Sequence, residues 1–329
     1  MAKHPITSLL LAGLLGLPLV MEGWEEPRTK GKIAFLLEVG PGFLYKGPTS
    51  TQSVLYQVDN NGNLTDPFGG TRKTGWQVGV GMRASAMVLA NNKEAAEFLY
   101  TGLFNWTPFK SVTNTSTGVG ILTSPYTTND WQGASTINWS TRTKYNSYEI
   151  LMWFFVTPRY ENYFSLAVNF GGRFINITDR DHFTSFLAPE TTPSQLTVET
   201  NNWLRGGEVG LEFNVRPLSY FSWGVIGKGA GFADSITRSL YLTDYSNTVV
   251  VANNNDVASK TTGSYLAEVL PYITFQNGAF SAKLIGDLVY IGDISTTAST
   301  FYKIRSINQI QTKKKFELGG AFLDLGWIF

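Results

Sequence analysis

Ten stretches of this chain place apolar side chains at every second position and collect their charged groups on the opposite parity, and no other feature restricts the fold as strongly. In "TGWQVGVGMRASAMVLA" one parity holds Trp76, Val78, Val80, Met82, Ala84, Ala86 and Val88, and the other Gln77, Gly79, Gly81, Arg83 and Ser85. "NNWLRGGEVGLEFNV" sets Val209, Leu211, Phe213 and Val215 against Glu208, Gly210, Glu212 and Asn214. A period of two marks β-strands, whose successive side chains point to opposite faces. The runs cover about 33–45, 74–90, 97–109, 145–157, 162–178, 202–215, 219–233, 264–275, 279–292 and 316–329. Each is longer than the roughly 5–6 residues of an ordinary strand, which predicts tall antiparallel strands.

The connections alternate between short and long. The short ones are "NNKEAA", "TPRYEN", "RPLS" and "QNGA", the last of the Asn-Gly hairpin kind. The long ones span about 46–73, 110–144, 179–201, 234–263 and 293–315 and are rich in Thr, Ser, Asn, Asp and Gly. An even number of strands with turns at one end and loops at the other predicts an all-β, closed, up-and-down transmembrane barrel of about ten strands. Stretches 236–251 and 298–311 could raise the count to twelve or fourteen. Lys303 and Arg305 lie on one face of "TFYKIRSINQIQ", with Ser306 and Asn308 on the other, so these segments are expected to project beyond the membrane instead.

The apolar parities carry almost no charge; Arg205 and Glu317 are the exceptions, each near the long-loop end of its run. The opposite parities carry Glu38, Arg83, Glu149, Arg173, Glu208, Glu212, Lys228, Glu268, Lys283, Asp287 and Asp324, and these are expected to line a lumen. Only the third run lacks such a charge, presenting Thr101, Asn105 and Thr107. Trp76, Trp106 and Trp203 fall toward the long loops and Trp223 and Trp327 toward the short turns, as interfacial aromatic girdles would.

Charged residues make up 16% of the chain and the formal net charge is +1, which gives no electrostatic case for nucleic acid. With no cysteine, disulfides and thiolate sites are excluded. Lys3 and His4 precede an apolar run from Leu9 to Met21, too short for a spanning helix, so residues 1–23 read as a signal peptide with an indistinct cleavage site. Residues 24–32 then form a periplasmic segment ahead of a barrel over 33–329.

The ending "LDLGWIF" resembles the last-strand signal of the bacterial outer-membrane β-barrel superfamily, small porin-like members of about ten strands included. The resemblance covers residues 33–329 by pattern and identifies no subfamily. It implies residence in a Gram-negative outer membrane, contact with outer-membrane lipid and lipopolysaccharide, and reading of Trp327 and Phe329 by the barrel-assembly machinery.

Three functions remain open at this point. A narrow pore is expected to prefer cations weakly, since the lumen set holds seven acids and four bases. Inward glycines such as Gly79, Gly81, Gly210 and Gly224 would give it room, and inward Trp153, Phe155, Tyr220 and Tyr272 would take room away. A structural or adhesin barrel would act through its long loops, where Lys303, Arg305, Lys313, Lys314 and Lys315 form a basic group suited to phosphates. Surface proteolysis of the omptin kind would rest on "TDRDHF", with Asp179, Asp181 and His182, but the opposed acidic pair is missing. The expectation is therefore not an enzyme, with no cofactor and no metal.

Overall fold

The computed structural model describes residues 33–47, 55–58, 64–65, 76–91, 93–113, 120–122, 135–157, 163–186, 193–246, 249–297, 310 and 312–329. The signal peptide and periplasmic segment expected over 1–32 lie outside the described residues. In chain order the strands are β1 (Ala34–Lys46), β2 (Leu55–Val58), β3 (Leu64–Thr65), β4 (Gln77–Asn91), β5 (Glu94–Trp106), β6 (Phe109–Thr113) and β7 (Gly120–Leu122). They continue with β8 (Thr136–Phe155), β9 (Phe164–Phe186), β10 (Ser194–Leu218), β11 (Phe221–Ser246), β12 (Val249–Asn277), β13 (Phe280–Ile294) and β14 (Lys314–Ile328).

Ten of them, β1, β4, β5 and β8 to β14, follow one another around a single antiparallel sheet, and the pairing of β5 with β8 closes it. β1 completes the circle against β14, with Leu37 opposite Trp327. Closure leaves no strand edge within the wall, which is the condition for a sheet to cross hydrocarbon. At one end the strands join through short turns. In the turn from β12 to β13, Gly278 takes a φ of 57°, the left-handed conformation such tight hairpins require.

The two parities separate inside from outside. Val80, Leu211 and Leu284 face outward, and Val80 is 73% exposed. Trp223, Trp327 and Phe329 stand on the outer face near the short turns, and Trp76 and Trp203 toward the other end. A belt of this extent is far larger than the apolar patches that water tolerates. The molecule is thus a transmembrane barrel of the outer-membrane type.

The wall is uneven in height. β8 to β12 run for 20, 23, 25, 26 and 29 residues, whereas β1, β4, β5, β13 and β14 run for 13 to 15. Much of what the sequence suggested as loop, including 136–144, 179–186, 194–201 and 234–246, continues as paired strand above the apolar belt. Outside lipid both faces can be polar, so the alternation fades. Thr, Val, Ile and Tyr still favour extended backbone there, and cross-strand pairing holds it. The segment 236–251 belongs to this projecting part, mostly within the β11–β12 hairpin. Most of 298–311 lies outside the described residues.

Candidate functional site

The eleven charges expected in the lumen are all buried on the inner face. Five of them interlock. From β9, Arg173 places Nη1 2.6 Å from Glu268 Oε2 on β12 and 3.2 Å from Glu208 Oε2 on β10, and Nη2 3.3 Å from Glu149 Oε1 on β8. Lys228 of β11 hydrogen-bonds to Glu149 and stands 3.7 Å from Glu208 Oε1 and 3.9 Å from Glu268 Oε2. Two cations thus tie three carboxylates across five successive strands. Across the barrel Arg83 of β4 meets Asp324 of β14 at 2.7 Å. Lower down, Lys283 lies 4.5 Å from the Tyr272 ring centroid, and the Tyr272 hydroxyl donates to Glu212. Buried charges are retained at tolerable cost only when so paired.

Within the ten runs one buried charge was missed; Lys46, Asp179, Asp181, Asp234 and Arg238, also buried, lie just beyond them. Glu97 on β5 points inward and accepts a 2.8 Å bond from Trp153 Nε1. It shares parity with Thr101, which the sequence did place inside, so the signal was present. Asn105 and Thr107, expected inside, are exposed. The reason is a bulge: the β5–β8 register shifts between Thr101 and Phe104, and Leu103 has a φ of 66°. An extra residue reverses the parity beyond it. The same bulge corrects Trp106, which was expected at the membrane interface. Its ring is 1% exposed inside the barrel, where Nε1 donates to the Leu44 carbonyl at 3.2 Å.

Trp106 belongs to an apolar septum on the long-loop side of the ion cluster. Its ring stacks on Phe104 at 5.9 Å and meets Phe316 edge-on at 6.4 Å; Phe316 stacks on Tyr145, and Phe104 meets Phe322. Leu44, Ile175, Leu204, Phe232, Leu266, Val289 and Leu318 complete the layer, so nine barrel strands contribute a side chain. The tenth, β4, contributes the absence of one. A Cβ on Gly79 would lie 2.8 Å from the Trp106 indole, and one on Gly81 2.7 Å from the Phe104 ring. Glycines expected to leave open room are therefore covered by aromatic rings. Gly210 and Gly224 likewise lie under Asn169 and the Tyr272 ring. At the short-turn mouth, Asn214, Ser222, Tyr272, Thr274 and Ser281 are among the residues lining a cavity of about 40 Å³, room for little more than water.

Above the septum the mouth is roofed. The residues after β13 turn inward, and Ile294, Ser295, Thr296 and Thr297 are all buried. Asn202 Nδ2 donates to the Ser295 carbonyl at 2.8 Å and Asn202 Oδ1 accepts from Ser295 N at 3.0 Å. Asp179 Oδ2 accepts from Thr297 N and Oγ1, and its Oδ1 accepts from Thr143 Oγ1. Lys46 Nζ approaches the same carboxylate at 3.9 Å.

Asp179 is therefore structural. Its neighbours Asp181 and His182 do not form a dyad, because consecutive strand residues face opposite ways: Asp181 is buried inside, whereas His182 faces out and its Nδ1 lies 2.9 Å from Thr197 Oγ1. Beyond the belt, partial burial and then the Arg180 charge hold this imidazole below the ordinary histidine range. Lys303 and Arg305 of the basic group lie outside the described residues, and Lys315 pairs with Glu317 at 2.8 Å.

No family model matches the sequence, and no curated protein matches it. Matches among solved structures include the outer membrane protease OmpT from Escherichia coli, 9% identical at a TM-score of 0.42, covering 92% of this chain and 97% of that one. A major outer membrane protein from Thermus thermophilus is 13% identical at 0.34, covering 90% and 99%. The outer membrane protein OprG from Pseudomonas aeruginosa is 10% identical at 0.26, covering 91% and 98%. Values this low carry no activity from any of these proteins to this chain.

Proposed function

We propose that this barrel is a closed one, standing in the bacterial outer membrane and acting through the strands and loops that rise above it, as a structural or surface-binding protein. The septum carries this reading. A layer of Trp106, Phe104, Tyr145, Phe316 and Leu44, each at most 2% exposed, sets largely apolar side chains between the ion cluster and the outer mouth. Apolar constrictions bar ions by excluding water even where some width remains. The roof of residues 294–297 adds a second closure. The surplus of carboxylates that invited a weakly cation-preferring pore persists, with eleven acids and six bases buried among the described residues. Four of those bases, however, are ion-paired with five of the acids, and these groups fill the interior. On the other side of the argument, the five tall strands place a rigid polar surface beyond the belt, where a scaffold can present binding residues.

Single-channel recording decides between the two. Purified protein in a planar bilayer is expected to show no conductance steps above the lipid background. Reproducible cation-selective steps from the wild-type chain would overturn the closed-barrel reading and restore the pore.

A further inference from the structure

The cavity at the short-turn end of the lumen lies between β10, β11, β12 and β13, with Leu36 of β1 completing its wall. Its polar lining consists of hydroxyls, amides and the Arg216 guanidinium, and no carboxylate stands among its described lining residues. Two of the lining side chains are deeply buried, Asn214 at 7% exposure and Ser281 at 5%. Neither Asn214 Oδ1 nor Ser281 Oγ has a hydrogen-bond partner among the described residues. Polar atoms so buried find partners as a rule, so the cavity is built to take a polar guest.

Lys283 gives that guest its sign. It stands directly opposite Thr274 of the cavity wall in the β12–β13 ladder, and its ammonium lies 4.5 Å from the ring centroid of Tyr272, another wall residue. This ammonium is buried, yet it has no hydrogen bond or ion pair among the described residues. The carboxylates around it are engaged elsewhere. Asp324, opposite on β14, takes Arg83 at 2.7 Å through Oδ2, and its Oδ1 makes no bond to Lys283. Glu212 takes the Tyr272 hydroxyl. Arg216 adds a second cation to the wall, its Nη2 donating to Gln276 Oε1 at 3.0 Å. A ring face offsets part of the cost of burying an ammonium, and a paired anion offsets more.

We infer that this cavity binds one carboxylate group, entering from the short-turn mouth. Size selects it: at roughly 10–15 Å³ for each water-sized atom, about 40 Å³ holds about three atoms, enough for a carboxylate and too little for a phosphate. Its oxygens accept from the Lys283 ammonium and the Ser281 hydroxyl, and the Asn214 amide can turn to offer its NH2. The same head group belongs to a small free acid and to the end of a peptide chain. The site lies on the opposite side of the ion cluster from the septum, so a channel recording of either sign leaves it untouched.

The test titrates 13C-labelled formate into the full-length barrel in neutral maltoside micelles and follows the formate line width by NMR. The wild type is expected to broaden the signal saturably, with one site per barrel. K283Q and S281A should each weaken binding by about tenfold or more, the weight of one hydrogen bond to a charged group. K93Q, an exposed change at the short turns, should leave it unchanged. S281A removes a single hydroxyl and carries the test alone if K283Q does not fold, which the heat-dependent gel mobility of an intact barrel reports. No saturable broadening by the wild type, or unchanged affinity in S281A and in folded K283Q, overturns the site and leaves the cavity to water. Displacement of formate by chloride at equal concentration overturns the choice of a carboxylate. A tripeptide then separates the two sources. Competition by its free acid but not by its C-terminal amide assigns a chain terminus, competition by neither assigns a small free acid, and equal competition by both overturns the carboxylate.

Discussion

Arg173 and Glu268, 95 residues apart in sequence and three strands apart in the wall, meet at 2.6 Å inside the barrel. Their bond is a chord through the lumen, and it draws Glu208 and Glu149 to the same guanidinium. A chord of this kind fixes which strands face which, and it fills with ions a volume that a pore would leave to water.

Removing the guanidinium should therefore be costly. Arg173→Met is expected to destabilise the barrel by about 3–5 kcal/mol, because three buried carboxylates would then share Lys228 alone. Urea unfolding in detergent micelles checks this. Arg173→Lys should recover only part of the loss, lacking the second donor pair. An unchanged midpoint for Arg173→Met would show that the carboxylates are held by something other than this cation.

How much of this was legible in the sequence follows from the same physics. Lipid enforces a strict division of faces, so the inward positions of Glu149, Arg173, Glu208, Lys228 and Glu268 can be counted off residue by residue. The count fails at Gly102 and Leu103, where a bulge turns Trp106 from the outside to the inside. It fades again above Trp203, where β9 to β12 continue with polar and apolar residues mixed on both faces. That Gly79 and Trp106 complement each other was also hidden, because one residue seemed to vacate the lumen and the other to face lipid.

That complementarity predicts a contrast between glycines. Gly79→Ala should cost about 1–3 kcal/mol through overpacking against the Trp106 indole. Gly229, on the lipid face, would bring its new Cβ within 4 Å of nothing. Gly229→Ala should therefore be neutral or stabilise by up to about 1 kcal/mol, the usual gain from removing a strand glycine. The two unfolding midpoints should move in opposite directions or differ clearly; equal shifts would contradict the packing described for the septum.

The septum itself can be hollowed. Trp106→Ala with Phe316→Ala is expected to cost about 3–5 kcal/mol for each truncation, from the cavity and the lost burial. In return the variant should admit ions, with conductance steps in planar bilayers where the wild type shows none. A folded variant that stays silent would place the closure in the roof instead.

Asp179 anchors the roof, since its carboxylate accepts twice from Thr297 and once from Thr143 of the wall. Bonds to a charged acceptor are worth about 1.5–3 kcal/mol each. Loss of the carboxylate should thus raise the population of an undocked roof by tenfold or more. The chain has no cysteine, so a single Thr296→Cys provides a clean reporter. In that background Asp179→Ala should speed labelling by a membrane-impermeant maleimide about tenfold or more, with the barrel still folded by its gel mobility. Arg180→Gln, exposed on the outward face of the same strand, serves as the comparison and should change the rate little. If Asp179→Ala labels no faster than the parent, residues 294–297 are held down by their apolar contacts, and Asp179 serves chiefly to neutralise Lys46.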